Sequence, residues 1–278
     1  MKETIRKLTE CFGPSGHEGT VRDLIRAELP RGAETRVDAL GNLIVHRAGS
    51  AGGRRVMLAA HMDEIGVVVT HVDRKGFLRF GPVGGVRVLP LMGGRVRFAN
   101  GTAGVIGMEK VDDASRMPPM DKFYIDVGAA SPETCPVKVG DVGCFDRECV
   151  EQGSRIVAKA VDDRIGCAVL LQVLKELDRS PHDLSVVFTV QEEVGLRGAS
   201  TSGYGVEPDI ALAVDVTLTG DTPECAPMAM ELGAGPAVKI KDGGMLAHVG
   251  VKDWLIRTAE AAGIPFQREV LTSGTTDA

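Results

Sequence analysis

Aromatic residues are scarce, with one tryptophan and two tyrosines in 278 residues. Carbohydrate clefts generally rest on aromatic platforms, so this scarcity speaks against a glycan substrate. The six cysteines (Cys11, Cys135, Cys144, Cys149, Cys167 and Cys225) contain no C-x-x-C pair. Neither a zinc ribbon nor a thiol–disulfide motif is supported, and they read as reduced thiols. There is no basic run and the net charge is -6. A general nucleic-acid partner is thereby excluded, because phosphate binding needs concentrated Lys and Arg, whereas an acidic excess suits cations. No apolar run approaches the roughly 18 residues of a membrane helix. The opening MKETIRKLTECFG alternates charged and apolar residues, without the apolar core of a signal peptide. No membrane partner is expected, and the expected location is cytoplasmic. Neither a G-x-S-x-G elbow nor a Walker loop occurs, which removes the corresponding serine hydrolase and P-loop NTPase classes.

What is present reads as an ordinary folded chain, 44% apolar and 25% charged, with 35 glycines for tight turns. Its length allows one large domain or a main domain carrying an insertion. Residues 2–30 predict two helices split by Gly13-Pro14-Ser15-Gly16. Ser15 and Glu18 have capping-box spacing, and Val21, Leu24, Ile25 and Leu29 form an apolar stripe. Short apolar runs at 42–46 and 56–60 predict covered strands, the second ending at His61. From 66 to 157 the texture turns to short β runs without a convincing helix, and Asn100-Gly101 marks a hairpin. Strand and helix alternate again afterwards: a helix at 165–177, strands at 184–190, 210–214 and 237–241, and a helix at 252–262 closed by Gly263. The pattern predicts an α/β domain formed by 1–65 and 158–278, interrupted by a β domain at 66–157.

Four polar clusters follow apolar runs: His61-Met62-Asp63-Glu64, Asp162-Asp163, Glu192-Glu193 and Asp215. In open α/β sheets ligands bind outside the carboxyl ends of the strands, where such clusters would be delivered. One imidazole with several carboxylates suits Zn²⁺, Co²⁺ or Mn²⁺. Four or five carboxylates in one pocket repel one another unless cations neutralise them, so two ions sharing a bridging carboxylate is the economical model. Adjacent strand residues point to opposite faces, so Glu192 and Glu193 reach one site only if the strand ends there, as Val194-Gly195 permits. One glutamate could then bind metal while the other takes a proton. Asp63 is placed to accept the second ring N–H of His61 and fix its tautomer. Taken singly, H-x-D or E-E also reads as a solvated loop end; the four together point to a site. His17, His46, His71, His182 and His248 have no recurring carboxylate neighbour and read as surface or structural.

The segments AHMDEIG, KAVDDRIG, VQEEVGLRGA and AVDVT, in that order, resemble the tetrahedral (TET) aminopeptidases, two-metal metallopeptidases that include glutamyl and deblocking enzymes. GPSGHEGTVRDLIRAEL, FYIDVGAAS and the final SGTTDA extend the resemblance over nearly the whole chain. It implies an α/β fold, a mixed sheet flanked by helices, with an inserted PDZ-like β domain used for dimerisation. It further implies dimers assembling into hollow dodecamers, peptide substrates, and two divalent metal ions per subunit, zinc or cobalt. By the same resemblance His61 is a ligand of one ion and Asp162 the bridging carboxylate. Glu193 and Asp215 complete one side each, Glu192 is the general base, Asp63 orients the histidine, and the Asp162–Asp163 peptide is cis. The family's fifth ligand is a histidine after the G-T-x-D-A motif, with which this sequence ends at Ala278. The expectation is therefore a fragment, or a protein that does not hold its second metal normally. A catalytically impaired assembly or peptide-binding subunit is the alternative reading. Endoglucanase, a label attached to this family, is opposed by the few aromatics and by glutamates too close together for the roughly 5–9.5 Å carboxyl separation of glycosidases.

Overall fold

The computed structural model describes residues 1–278 apart from Ala51, Asp112, Ala114, Ser115 and Ala226. Two helices open the chain, α1 (Lys2–Glu10) and α2 (Gly19–Glu28), before strands β1 (Glu34–Val37), β2 (Leu43–Arg47) and β3 (Arg55–His61). A run of strands follows: β4 (Gly66–Val72), β5 (Leu78–Val83), β6 (Arg95–Phe98), β7 (Ala103–Met108), β8 (Phe123–Asp126) and β9 (Val142–Phe145). A small hairpin, β10 (Val150–Gln152) and β11 (Arg155–Val157), leads to α3 (Val161–Glu176), β12 (Asp183–Thr189), α4 (Arg197–Val206) and β13 (Ile210–Ala213). The chain finishes with β14 (Ala237–Lys241), α5 (Val249–Ala261) and β15 (Gln267–Val270).

The fold is mixed α/β. Its main sheet has the order β1-β2-β12-β3-β13, antiparallel up to β12 and parallel from β12 through β3 to β13. Side chains alternate across it. Leu43 and Val45 of β2 and Leu184, Val186 and Phe188 of β12 face one core, whereas Ile44 and Val187 face the other. The first core is closed by helices whose apolar residues recur at helical spacing: Ile5 and Leu8 of α1, Val21 and Ile25 of α2, and Cys167, Leu170, Leu171 and Leu174 of α3. Burial of each such leucine or phenylalanine contributes about 1.5–3 kcal/mol. On the opposite face Val206 of α4 packs on Ile44, Met57, Ala59 and Val187. Helices on both faces explain why β2, β3 and β12 read as continuous apolar runs.

The segment between β3 and α3 builds a closed antiparallel barrel, β4-β5-β8-β7-β6-β9, around its own core. Val67 and Val69, Leu78 and Phe80, and Val96 and Phe98 point inward at period two. Strands β6 and β7 pair antiparallel across Asn100-Gly101, where Gly101 adopts a left-handed φ of 86°. Its helical content among the described residues is two 3₁₀ turns, Met120–Lys122 and Pro132–Thr134. The sequence reading missed β1, α4 and β15. The polar ETRV and the glycine-rich RGASTSGYGV carry little apolar periodicity and take their structure from the sheet they cover. Strand β14 pairs in parallel with β15, separately from the main sheet. Among the described residues no helix is long and apolar enough to cross a membrane.

Candidate metal centre

Three parallel strands end together. Thr189 of β12 lies beside His61 of β3, and Ala213 of β13 beside Ala59. The next residues of each chain segment therefore emerge at one sheet edge, which brings His61, Glu192, Glu193 and Asp215 to the same place. Asp162 and Asp163 arrive differently from the sequence expectation. They sit at the start of α3 with non-helical backbone angles, not at the end of a main-sheet strand, because Ile156 and Val157 belong to the small β10–β11 hairpin. Ala160 enters that helix at a left-handed φ of 52°, and the Asp162–Asp163 peptide is cis. The two glutamates share one site because β12 has already ended at Thr189 and Gln191 turns the chain with φ 56°.

His61 is buried; its Nε2 lies 2.9 Å from Asp162 Oδ1 and 3.9 Å from Glu192 Oε2. One ligand atom each from His61, Asp162 and Asp215 lie within 4.8 Å of one another. Glu193 does not join that group but lines the same cleft as Asp162. Nδ1 of His61 lies 3.2 Å from the Asp63 carbonyl and 3.5 Å from its carboxylate. The fully buried Asp63 carboxylate also accepts the Ser15 hydroxyl at 2.6 Å and the Glu192 and Glu193 N–H groups at 3.0 and 3.2 Å. It thus ties the imidazole to the turn that presents both glutamates.

The electrostatics mark a place for cations. Burial pushes Glu192 up to about 8, aided by the Asp215, Asp277 and Glu193 charges and opposed by His61. Burial and then Asp162 push Glu193 up to about 7, and burial and Asp162 push Asp215 up to about 6. Burial also raises Asp163 well above the usual carboxylate range, with Asp215 and Asp162 adding to it. His61 goes the other way: burial would lower it, but hydrogen bonds to Asp162 and Asp63 raise it well above its ordinary value. Burial opposes ionisation of Asp63 too, yet its bonds to His61, Ser15 and the Glu192 N–H outweigh that and hold it low. Clustered carboxylates driven toward protonation around one imidazole form a donor set that fits a borderline divalent cation.

The support beneath this cluster was only partly legible. Ser15 and Glu18 do not form the predicted capping box. Glu18 occupies the N-cap of α2 without a side-chain cap, and its Oε1 accepts the Gly16 and Gln191 N–H groups at 2.7 and 3.2 Å. Ser15 is engaged by Asp63 instead. Both residues brace the glutamate turn, a tertiary demand that overrides local capping. Glu64 accepts Lys159 Nζ at 2.7 and 2.8 Å, the Gly13 N–H at 3.1 Å and Arg164 at 3.5 Å, with all three charged side chains buried. Arg164 is also held by the Leu8, Cys11 and Gly13 carbonyls. The sequence reading did not single out Asp277, which accepts the Thr189 hydroxyl near Glu192. Its signal was its place in SGTTDA. A cleft of about 500 Å³ opens beside Asp162 and Glu193, lined also by Gly85, Val86, Arg87, Pro90, Leu91, Phe145 and Arg147.

The model of the M42 glutamyl aminopeptidase family matches residues 41–278. A putative aminopeptidase of Acetivibrio thermocellus is 46% identical, over all of this chain and 84% of its own length. An aminopeptidase from the archaeon Desulfurococcus kamchatkensis has the same fold, with a TM-score of 0.95 at 43% identity over 99% of this chain and 81% of that one. The TET1 peptidase of Pyrococcus horikoshii, described as assembling into a tetrahedron or a large octahedral shell, matches with a TM-score of 0.88 at 32% identity. That match covers 100% of this chain and 86% of the other.

Proposed function

We propose a function that starts from the family: this chain belongs to the M42 glutamyl aminopeptidase family and is an aminopeptidase, a hydrolase acting on peptide bonds. It removes N-terminal residues from peptides with the help of two divalent metal ions, zinc or cobalt. His61, Asp162 and Asp215 would hold one ion; Asp162, as the bridging carboxylate, and Glu193 would contribute to the other. The observation that carries this reading is the convergence of His61, Asp162 and Asp215 within 4.8 Å, with Glu192 on the same histidine. When bound, such cations polarise the scissile carbonyl and acidify a water molecule.

The residues divide the remaining work. Glu192 takes the proton of the attacking water and delivers it to the leaving amine. Its side chain is largely buried beside His61 but bonds to no metal in this assignment, which leaves it available as a base. Asp63 is a positioning residue: it fixes the His61 ring on one side and, through the Glu192 and Glu193 N–H groups, the glutamate turn on the other. The carboxylate cluster also attracts the protonated amino end of a peptide, placing the first peptide bond next to Glu192.

The reading assigns 1–65 and 158–278 to the catalytic domain and 66–157 to an inserted PDZ-like β domain for dimerisation, with dimers building a dodecamer. Support comes from the barrel's separate core and from the assemblies described for the TET1 relative. Metal content per chain, measured with hydrolysis of an aminoacyl-p-nitroanilide panel by wild type and Glu192→Gln, tests the reading. Equal metal content in both proteins and a loss of about 10²–10⁴-fold in kcat in the variant are the expected result. A fully active variant would remove Glu192 from its role; metal-loaded wild type that binds peptides without cleaving them would favour a peptide-binding subunit.

A further inference from the structure

The cleft beside Asp162 and Glu193 carries two cations that the chemistry above leaves unused. Its lining includes Arg87, Arg147 and Lys159. Lys159 is neutralised by Glu64 at 2.7 Å. Arg87 and Arg147 are exposed, and neither makes a hydrogen bond or ion pair among the described residues. Asp146, the carboxylate next to Arg147 in sequence, is engaged with Arg97 at 2.8 Å. Two arginines without a charge partner among the described residues therefore line a cavity of about 500 Å³, a size within the roughly 300–1,000 Å³ of small-molecule sites.

The loop that carries Arg87 is fixed at both ends. At Gly84, with φ +77°, a Cβ would stand 2.9 Å from Ile65 Cγ2 and 3.1 Å from Glu193 Cβ, so the loop leaves β5 pressed against the metal-centre glutamate. Leu91, at the other end, is buried in the barrel core. Arg87 is thus presented by a short anchored segment, and Arg147 follows directly from β9. The cleft pairs an acidic wall, which receives an amino terminus, with a basic wall supplied by the barrel. A short zwitterionic peptide has that same charge order.

We propose that Arg87 and Arg147 bind a carboxylate of the peptide beyond the scissile bond, making the barrel loops the selector of substrate class. The inference rests on the aminopeptidase reading above. That carboxylate has two sources, the C-terminus of a short peptide or an acidic side chain following the cleaved residue. Guanidinium binds either through paired N–H donors.

The test uses metal-loaded enzyme and peptides beginning with X, the N-terminal residue cleaved best in a p-nitroanilide panel. X-Gly-Gly against X-Gly-Gly-amide reads the C-terminal carboxylate; X-Glu-Gly-amide against X-Gln-Gly-amide reads the side chain. Each pair is measured for wild type, Arg87→Ala, Arg147→Ala and the double variant. Wild type is expected to favour the acid member in kcat/KM. Each substitution should shrink that ratio on the order of tenfold, and the wild-type ratio should fall as salt rises. Collapse in the first pair identifies a C-terminal reader and in the second a side-chain reader, both upholding the inference. A wild-type ratio near one in both pairs, or a ratio that survives the double substitution, overturns it. Failure of wild type to cleave any of the peptides would overturn the aminopeptidase reading itself.

Discussion

Replacing Glu64 by glutamine tests the support under the metal centre. Glu64 is the carboxylate between Lys159 and Arg164, and all three side chains are at most 6% exposed. The wild-type group carries one net positive charge, and the amide leaves two. Arg164 keeps its bonds to the Leu8, Cys11 and Gly13 carbonyls, but Lys159 loses its counter-charge and keeps only neutral acceptors, the introduced amide oxygen and the Cys11 carbonyl. Losing one partner of a buried ion pair costs about 3–5 kcal/mol. At about 2–4 °C per kcal/mol for a chain of this size, the melting temperature should fall by roughly 6–20 °C. Differential scanning fluorimetry of wild type, Glu64→Gln, Lys159→Met and the double variant measures this, the double mutant recovering a large part of the loss because it removes the stranded cation. A drop below about 2 °C in Glu64→Gln, or a double mutant as unstable as the sum of the singles, would refute the reasoning.

Four further outcomes follow from the same geometry. Asp63→Asn removes the negative charge beside His61, leaving the ring its contact with the Asp63 carbonyl, and weakens the hold on the glutamate turn, so metal affinity or kcat/KM should fall about 10–100-fold, read by metal titration and steady-state kinetics. In the metal-free protein, Glu192 and Glu193 sit near 8 and 7 and Asp215 near 6. Metal uptake at pH 7 should therefore release protons, detectable in buffers of different ionisation enthalpy, and affinity should decline as pH falls from 8 to 5. These pKa values are raised by folding, so their contribution to stability is full below the ordinary carboxylate range and is lost as pH rises through about 6 to 8. Metal-free protein should accordingly lose melting temperature over that window, and metal-loaded protein should lose less. Gly84→Ala meets both a left-handed φ and the Ile65 and Glu193 contacts, so it should lower kcat/KM more than it lowers the melting temperature.

Much of this protein is legible in its amino-acid sequence. Apolar runs mark β2, β3 and β12, because a strand covered on both faces must be apolar throughout, and the change of texture after Gly66 signals a separate β unit. The proposed site residues His61, Asp162, Glu192, Glu193 and Asp215 stand out because an imidazole with several carboxylates is a donor set suited to hydrolytic metal chemistry. Tertiary structure decided what no local pattern encodes. Ser15 and Glu18 spell a capping box, yet they serve the Asp63 and Gln191 groups that fold toward them from distant strands. The alignment of Thr189 with His61 is a sheet register, and it alone puts the glutamate turn within reach of the histidine. Arg87 looks like any surface arginine in a loop; only the return of the barrel onto Glu193 at Gly84 turns it toward the cleft. Composition and periodicity report what each segment must bury, whereas a site is defined by which segments meet, and that is settled by long-range packing.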